Sequence, residues 1–294
     1  MVRDDNVWVH RAACRCPLHG RRWFSGLLLA GGALGSWPAW GDGVTLDNRS
    51  PAAKLVPAQE VEEAAAQQYQ RLLQTAAQQK ALAPDSHPQL RRLRTISQRL
   101  IPFSSSPNLR STSRASQWKW EINLIGSKQV NAFCMPGGKI AFYSGILDQL
   151  QLTDDEVAQV MGHEIAHALR EHAREQLGKE MATRGAIELG AAFFGLSGAS
   201  RLAADLGGQL LTLKFGRDDE SEADKIGLDL AARAGYNPRA GVTLWQKMSK
   251  AGGGGRSLEW LSTHPAGTSR IQQIESNLPA VEPLYVRAAK PPPG

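Results

Sequence analysis

The spacing of apolar and polar positions changes several times along this chain, and each change predicts an element. Residues 58–83 are dominated by Ala, Gln, Glu and Leu, strong helix formers, and Pro84-Asp85-Ser86-His87-Pro88 ends that run. Residues 89–100 predict a second helix with several Arg on its outer face. Residues 104–116, Ser-rich with Pro107, predict a loop. The period then drops to two: Trp118, Trp120, Ile122 and Leu124 alternate with polar neighbours, which predicts a strand. Residues 130–135 and 139–143 predict two more strands, separated by Pro136-Gly137-Gly138. From Val157 the period becomes four. Val157, Met161, Ile165 and Leu169 give a helix one apolar face. Its start is marked by Thr153 and Glu156, a capping box, and by Asp154 and Asp155 at the positive end of the helix dipole.

Beyond that helix, residues 185–213 are apolar and rich in Gly and Ala, but Glu188, Arg201 and Asp205 interrupt them. Such charges argue against a membrane span and for a buried helical hairpin over the preceding helix. Residues 218–234 predict a helix ended by Gly235, and Asn237 with Pro238 opens another that runs to Lys250. A glycine-rich connection at 252–255, a short helix at 268–278 and a Pro-rich disordered tail from Pro279 complete the expectation. The predicted fold is α+β and mainly helical, with a small antiparallel sheet leading into the central helix.

The chain has 294 residues, 42% hydrophobic and 21% charged, enough for one substantial domain with small appendages. Arg11, Arg15, Arg21 and Arg22 precede an apolar run at 23–37 that is too short to span a bilayer. Ala39-Trp40-Gly41 fits a small-x-small cleavage site, so residues 1–41 are expected to be a signal peptide and 42–57 a loose lead-in. Arg21-Arg22-Trp23-Phe24 fits a twin-arginine signal and equally a basic region that happens to hold two Arg. Export to the periplasm is the expectation, with no integral membrane segment in the mature chain. Residues 1–41 carry five Arg and two Asp, so without them the formal charge falls from +6 to +3. That is too little to argue for nucleic acid as a partner. Cys14 and Cys16 leave with the signal. Cys134 alone permits neither an internal disulfide nor a cysteine-based metal site.

The chemistry concentrates in His163-Glu164-Ile165-Ala166-His167. Residues four apart share a helix face, so the two imidazoles can reach one metal ion, and Glu164 stands beside them as a candidate general base. A catalytic zinc ordinarily takes three protein ligands. Downstream, Glu220-Ser221-Glu222-Ala223-Asp224 supplies the candidates: Glu220 and Asp224 share a face, and Glu222 points the other way, toward solvent or a salt bridge. Glu220 is the better ligand and Asp224 a partner for a ligand histidine's second nitrogen. An acidic helix start favoured by the dipole is the alternative. His172 falls off the ligand face and reads as a supporting or surface residue.

With these residues stand Arg217-Asp218-Asp219, Thr263-His264-Pro265 with Arg270, Val130-Asn131-Ala132-Phe133 and Ala234-Gly235-Tyr236-Asn237-Pro238. Together they resemble the minigluzincin metallopeptidases (HtpX-like, Oma-like and CAAX-prenyl-protease enzymes), most of all the soluble exported bacterial branch. The resemblance covers residues 58–278. It departs at the ends: no transmembrane helices, no lipobox cysteine and no evident tetratricopeptide repeats. The resemblance implies a zincin-type catalytic domain with one Zn2+ per chain, held by His163, His167 and Glu220, with Asp224 supporting. It implies Glu164 as general base, His264 and Arg270 as supports for the oxyanion, and Asn131, Ala132 and Phe133 as the strand to which an extended peptide adds. The function it implies is an endopeptidase for misfolded or misassembled envelope proteins. The alternative is a chaperone or assembly factor for outer-membrane proteins with little proteolysis.

Overall fold

The computed structural model describes residues 43–193, 210–252, 258–264 and 269–292. The expected signal peptide, the middle of the apolar stretch at 185–213 and the glycine-rich connection lie outside the described residues. The lead-in is not loose from Gly43 onward. Val44 and Leu46 are buried, and the buried Val44 amide donates to Asp229 Oδ2 at 3.0 Å. A 3-10 turn at Pro51–Leu55 follows.

Helix α1 (Ala58–Gln78) stops short of the expected end. Lys80 takes a left-handed φ of 55°, and Pro84 disfavours helical backbone at Ala83. Residues 81–83 instead run beside the first strand, Ala83 N donating to Leu124 O and Gly126 N to Ala81 O. Helix α2 (Pro88–Leu100) buries Leu90, Leu93, Ile96 and Leu100, one apolar stripe at helical spacing. The expected loop at 104–116 is built of 3-10 turns.

Strands β1 (Glu121–Ile125), β2 (Ala132–Met135) and β3 (Lys139–Tyr143) form one sheet in the order β1-β3-β2. The sheet is mixed, not antiparallel throughout: β2 and β3 are a hairpin, while β1 and β3 pair in parallel. The hairpin returns β3 between the other two strands, so β3 runs with β1. Alternate side chains divide between two cores. Leu124, Ala132, Cys134, Ile140 and Phe142 join the main core, and Ile125, Met135 and Ala141 pack with Val61, Ala65 and Tyr69 of α1.

After α3 (Ser144–Leu150) comes α4 (Asp154–Leu169), with the expected capping box in place. Glu156 N donates to Thr153 Oγ1 at 3.3 Å, and Thr153 N to Glu156 Oε2 at 2.9 Å. Every residue from Glu156 to Leu169 is buried, so α4 is a central helix covered on all sides. Helix α5 (His172–Phe193) follows, then α6 (Arg217–Arg233), α7 (Ala240–Gly252), the short α8 (Glu259–Thr263) and α9 (Arg270–Arg287). Gly235, at φ 86°, closes α6 as expected.

The tail from Pro279 is not disordered at its start. Helix α9 runs through Pro279 and Pro283 to Arg287. The prolines remove donors to the carbonyls of Glu275 and Pro279, but both residues are exposed, where water substitutes. Burial of Leu278, Val281 and Leu284 against the core holds the helix together. No helix among the described residues is long and apolar enough to cross a membrane.

Candidate active site

Helices α4 and α6 cross at two glycines. A Cβ on Gly162 would lie 3.0 Å from Gly227 Cα, and one on Gly227 would lie 3.0 Å from His163 N. No side chain fits between the backbones, and this close approach brings Glu220 and Asp224 of α6 against His163 and His167 of α4. His264, just past α8, completes the group. Donor atoms of His163, His167, Glu220 and His264 all lie within 4.8 Å of one another, and all four residues are buried.

The spacing suits a metal ion. The two Nε2 atoms are 3.1 Å apart, and Glu220 oxygens lie 3.6 Å from His163 Nε2 and 3.5 Å from His167 Nε2. Ligands about 2.0–2.1 Å from a tetrahedral ion are about 3.3–3.4 Å from each other. Proton positions agree. His163 Nδ1 lies 2.9 Å from Asp224 Oδ1 and, facing a carboxylate, carries the hydrogen. In the neutral ring that ligates a metal, its Nε2 is then a bare lone pair. The same holds for His167 through its contact with His172, whose other nitrogen meets the Glu222 carboxylate. Two lone pairs facing one another in a buried site repel unless a cation lies between them.

The electrostatics favour the same arrangement. Burial alone would raise the Asp224 carboxyl, but the Arg270 charge and the His163 hydrogen bond outweigh it and hold it down to about 2. Glu220 is likewise lowered against the effect of burial, by the His264 hydrogen bond and then the charges of His163, His264 and Arg270. Burial, followed by the neighbouring imidazoles and Arg270, pushes His167 well below the ordinary histidine value, toward the neutral form that ligates. His264 moves the other way. Burial would lower it, but the Glu164 charge and the Glu220 contact raise it.

Glu164 is 2% exposed and held by a residue the sequence did not single out: Trp260 Nε1 donates to Glu164 Oε1 at 2.7 Å. The Trp260 ring also packs against His264, centroids 4.8 Å apart. The i, i+4 spacing of Trp260 and His264 on either side of a helix end was the available signal. Phe215, stacked on His167 at 4.0 Å, carried none.

Arg270 does not stand where an oxyanion support would. Its Nε and Nη2 clasp Asp224 at 2.7 and 2.6 Å, Nη1 bonds Glu220, and the guanidinium lies over the Trp245 ring at 3.8 Å. Burial with two carboxylates to neutralise makes it a clamp on the ligand side. His264 remains beside Glu164, its Nε2 3.5 Å from Glu164 Oε1, while its Nδ1 is 2.9 Å from Glu220 Oε1. Glu222 is in a salt bridge, as one of its expected options, with Arg170.

Strand β2 lies at the sheet edge and packs on α4. Asn131 turns its carbonyl to Tyr143 N of β3, so by alternation Ala132 and Cys134 turn their peptide groups to the open side. The Phe133 ring points to the α1 side, against Tyr69 and Tyr143. Of the three expected peptide-binding residues, Ala132 alone turns its backbone outward, and its amide already donates to Asn131 Oδ1 at 2.9 Å, which leaves its carbonyl.

The sequence that builds this site is similar to that of known proteins. The mitochondrial metalloendopeptidase OMA1 of Schizosaccharomyces pombe is 36% identical over 203 residues, 68% of this chain and 56% of that protein. The metalloprotease LoiP of Escherichia coli is 33% identical over 157 residues, 52% of this chain and 61% of its own length. The beta-barrel assembly-enhancing protease of Escherichia coli is 27% identical over 202 residues, 65% of this chain and 41% of that protein. The matched region thus spans about half the length of these relatives. The family profile described as Peptidase family M48 matches residues 89–278, from α2 through the clamp at Arg270. The chain belongs to Peptidase family M48, whose members are metallopeptidases.

Proposed function

We propose that this protein is a zinc-dependent endopeptidase. The observation that carries the reading is the donor set: two bare imidazole nitrogens and a carboxylate converge beside a separately held Glu164. Two His and one Glu, with Cys134 kept out of the cluster, are a set that suits Zn2+. Zinc bound there would act as a Lewis acid on a peptide carbonyl and acidify water. The chain's own residues do the rest. Trp260 occupies Glu164 Oε1 and leaves Oε2 to take the proton of the attacking water, which Glu164 then passes to the leaving amine. His264 lies close enough to assist at the oxyanion. An extended peptide would add to the outward side of β2 through the Ala132 carbonyl and the Cys134 peptide groups, and through the Ala132 amide once it leaves Asn131 Oδ1, using main-chain hydrogen bonds indifferent to side chains. That mode suits unfolded clients, and with the expected export to the periplasm the proposed substrates are misfolded or misassembled envelope proteins. The name of the Escherichia coli β-barrel assembly-enhancing protease supports this direction.

One observation favours a second reading, an assembly factor that binds such clients and rarely cleaves. Glu164, His163, His167 and His264 are all 2–3% exposed, so a peptide reaches the base only after neighbouring segments move. The deciding experiment is degradation of an unfolded outer-membrane β-barrel protein by the wild type beside Glu164→Gln, with zinc content measured in both. The proposal expects full zinc in each and a rate loss of about 10²- to 10⁴-fold in the variant. Equal rates would remove Glu164 as base. No cleavage by a zinc-loaded wild type, with the client kept soluble, would favour the assembly factor.

A further inference from the structure

The mechanism above gives His163 a support, Asp224 clamped by Arg270, but leaves His167 without one. The structure supplies it from residues outside the ligand set. Helix α4 ends at Leu169, and Glu171 takes a left-handed φ of 60°. That break swings His172, the first residue of α5, back over α4, so its ring meets His167 although the helical count places it off the ligand face. His172 Nδ1 lies 2.9 Å from His167 Nδ1, and His172 Nε2 lies 3.0 Å from Glu222 Oε2. Arg170 binds both Glu222 oxygens, through Nε at 2.6 Å and Nη2 at 2.8 Å. Two further donors go to the carbonyls of Arg110 at 3.2 Å and Asp47 at 2.9 Å. Arg170 and His172 are each 2% exposed.

Proton counting fixes the direction of this chain. The Glu222 carboxylate, paired to Arg170, only accepts, so His172 Nε2 carries a hydrogen and donates it. With His167 ligating through Nε2, the hydrogen between the two rings, 2.9 Å apart, belongs to His167 Nδ1, and His172 must present a bare Nδ1 to accept it. We infer that His172 and Glu222, anchored by Arg170, are positioning residues that fix the His167 tautomer and aim its Nε2 at the metal. The site then has two parallel supports, each ending in a buried arginine. One is carboxylate to His163. The other reaches His167 through an intervening imidazole, and its arginine ties the lead-in at Asp47 to the metal centre.

The inference rests on the metal-site reading above, and the experiment separates the two. Zn2+ affinity of the full chain is measured by chelator competition for wild type, His172→Leu and His172→Gln. Leu keeps the bulk and removes the acceptor. Gln can accept from His167 through its oxygen and donate to Glu222 through its nitrogen. The expected result is a 10- to 100-fold weaker zinc affinity for His172→Leu, the usual loss for an orienting partner, and rescue to within about threefold by His172→Gln. Melting of the metal-free proteins shows whether each variant folds. In the zinc-loaded wild type, 15N-edited imidazole spectra are expected to show His172 protonated at Nε2 and bare at Nδ1, a readout that needs no variant. Wild-type zinc affinity in a folded His172→Leu, or a His172 protonated at Nδ1, would overturn the inference. No zinc binding by the wild type would instead overturn the metal-site reading.

Discussion

Trp260 is the residue that holds Glu164, the proposed base, in place. Its indole N–H is the donor to Glu164 Oε1, and its ring is the wall against His264 and His163. Trp260→Phe keeps the wall and removes only the donor. A hydrogen bond to a charged group contributes about 1.5–3 kcal/mol, so kcat is expected to fall about 10- to 100-fold if the base needs this bond to stay aimed. KM on a fluorogenic peptide and zinc content are expected to be unchanged. An unaltered kcat would show that Glu164 is aimed by something else. At this scale the sequence was legible where one helix carried the whole signal. His163 with His167 and Glu220 with Asp224 follow from i, i+4 geometry, Glu164 from its place beside His163, and the structure brings the five together. It was not legible where tertiary contact decides. His172 sits on the wrong side of a helix that no residue before Glu171 announces as ending, and Arg270 has the right charge but two carboxylates to neutralise.

Between elements, the decisive contact is the crossing of α4 and α6. Glycine inside a helix costs about 1 kcal/mol relative to alanine, so Gly162 and Gly227 need a reason, and the 3.0 Å approach is that reason. Gly227→Ala forces its methyl onto the His163 backbone. Overpacking of this kind costs about 1–3 kcal/mol, which in a domain of this size lowers Tm by several degrees. It also separates Glu220 from the histidines, so zinc affinity is expected to weaken along with stability. A stabilised variant with normal affinity, the ordinary result of replacing a helical glycine, would mean the helices have room. The cap of α4 is an independent check, because Thr153→Ala is expected to cost about 1 kcal/mol without touching zinc affinity. Capping boxes and helix periods were legible because they are local. The parallel pairing of β1 with β3 was not, since strand order depends on where the hairpin docks. Nor was the passage of α9 through two prolines, which burial of Leu278, Val281 and Leu284 permits and local propensity opposes.

Across the whole molecule the same buried charges set the response to pH and to metal. Asp224 falls from 3.8 to about 2, and Glu220, Glu222 and Glu156 are all held below their ordinary 4.5. A carboxyl whose folded pKa is depressed contributes stability above its unfolded pKa and loses it as pH falls through the folded one. For Asp224 alone that is about 2 kcal/mol, fading between about pH 4 and 2. His264, raised above 6.5, contributes in the opposite sense: fully present below 6.5 and lost as pH rises past its folded value. His167, held below 6.5, loses its contribution as pH falls below 6.5, so the metal-free protein is expected to have its highest urea midpoint at about pH 6.5, a small decline toward pH 8 and a steep one toward pH 3. Asp224→Asn should flatten the acid limb. On the proposed reading zinc changes the balance, because an ion that binds only the folded chain adds about 2.7 kcal/mol at a hundredfold excess over Kd. Protons compete for the same imidazoles and carboxylate, so that increment disappears in acid and the loaded protein loses stability with falling pH more steeply than the metal-free one. The comparison is a pair of urea titrations at pH 7 and pH 4, with zinc and with chelator. The expected gap is wide at pH 7 and closed at pH 4. Equal midpoints at pH 7 would mean that the converged donors of α4, α6 and His264 do not hold an ion, and the donor set would then be only a buried hydrogen-bonded network.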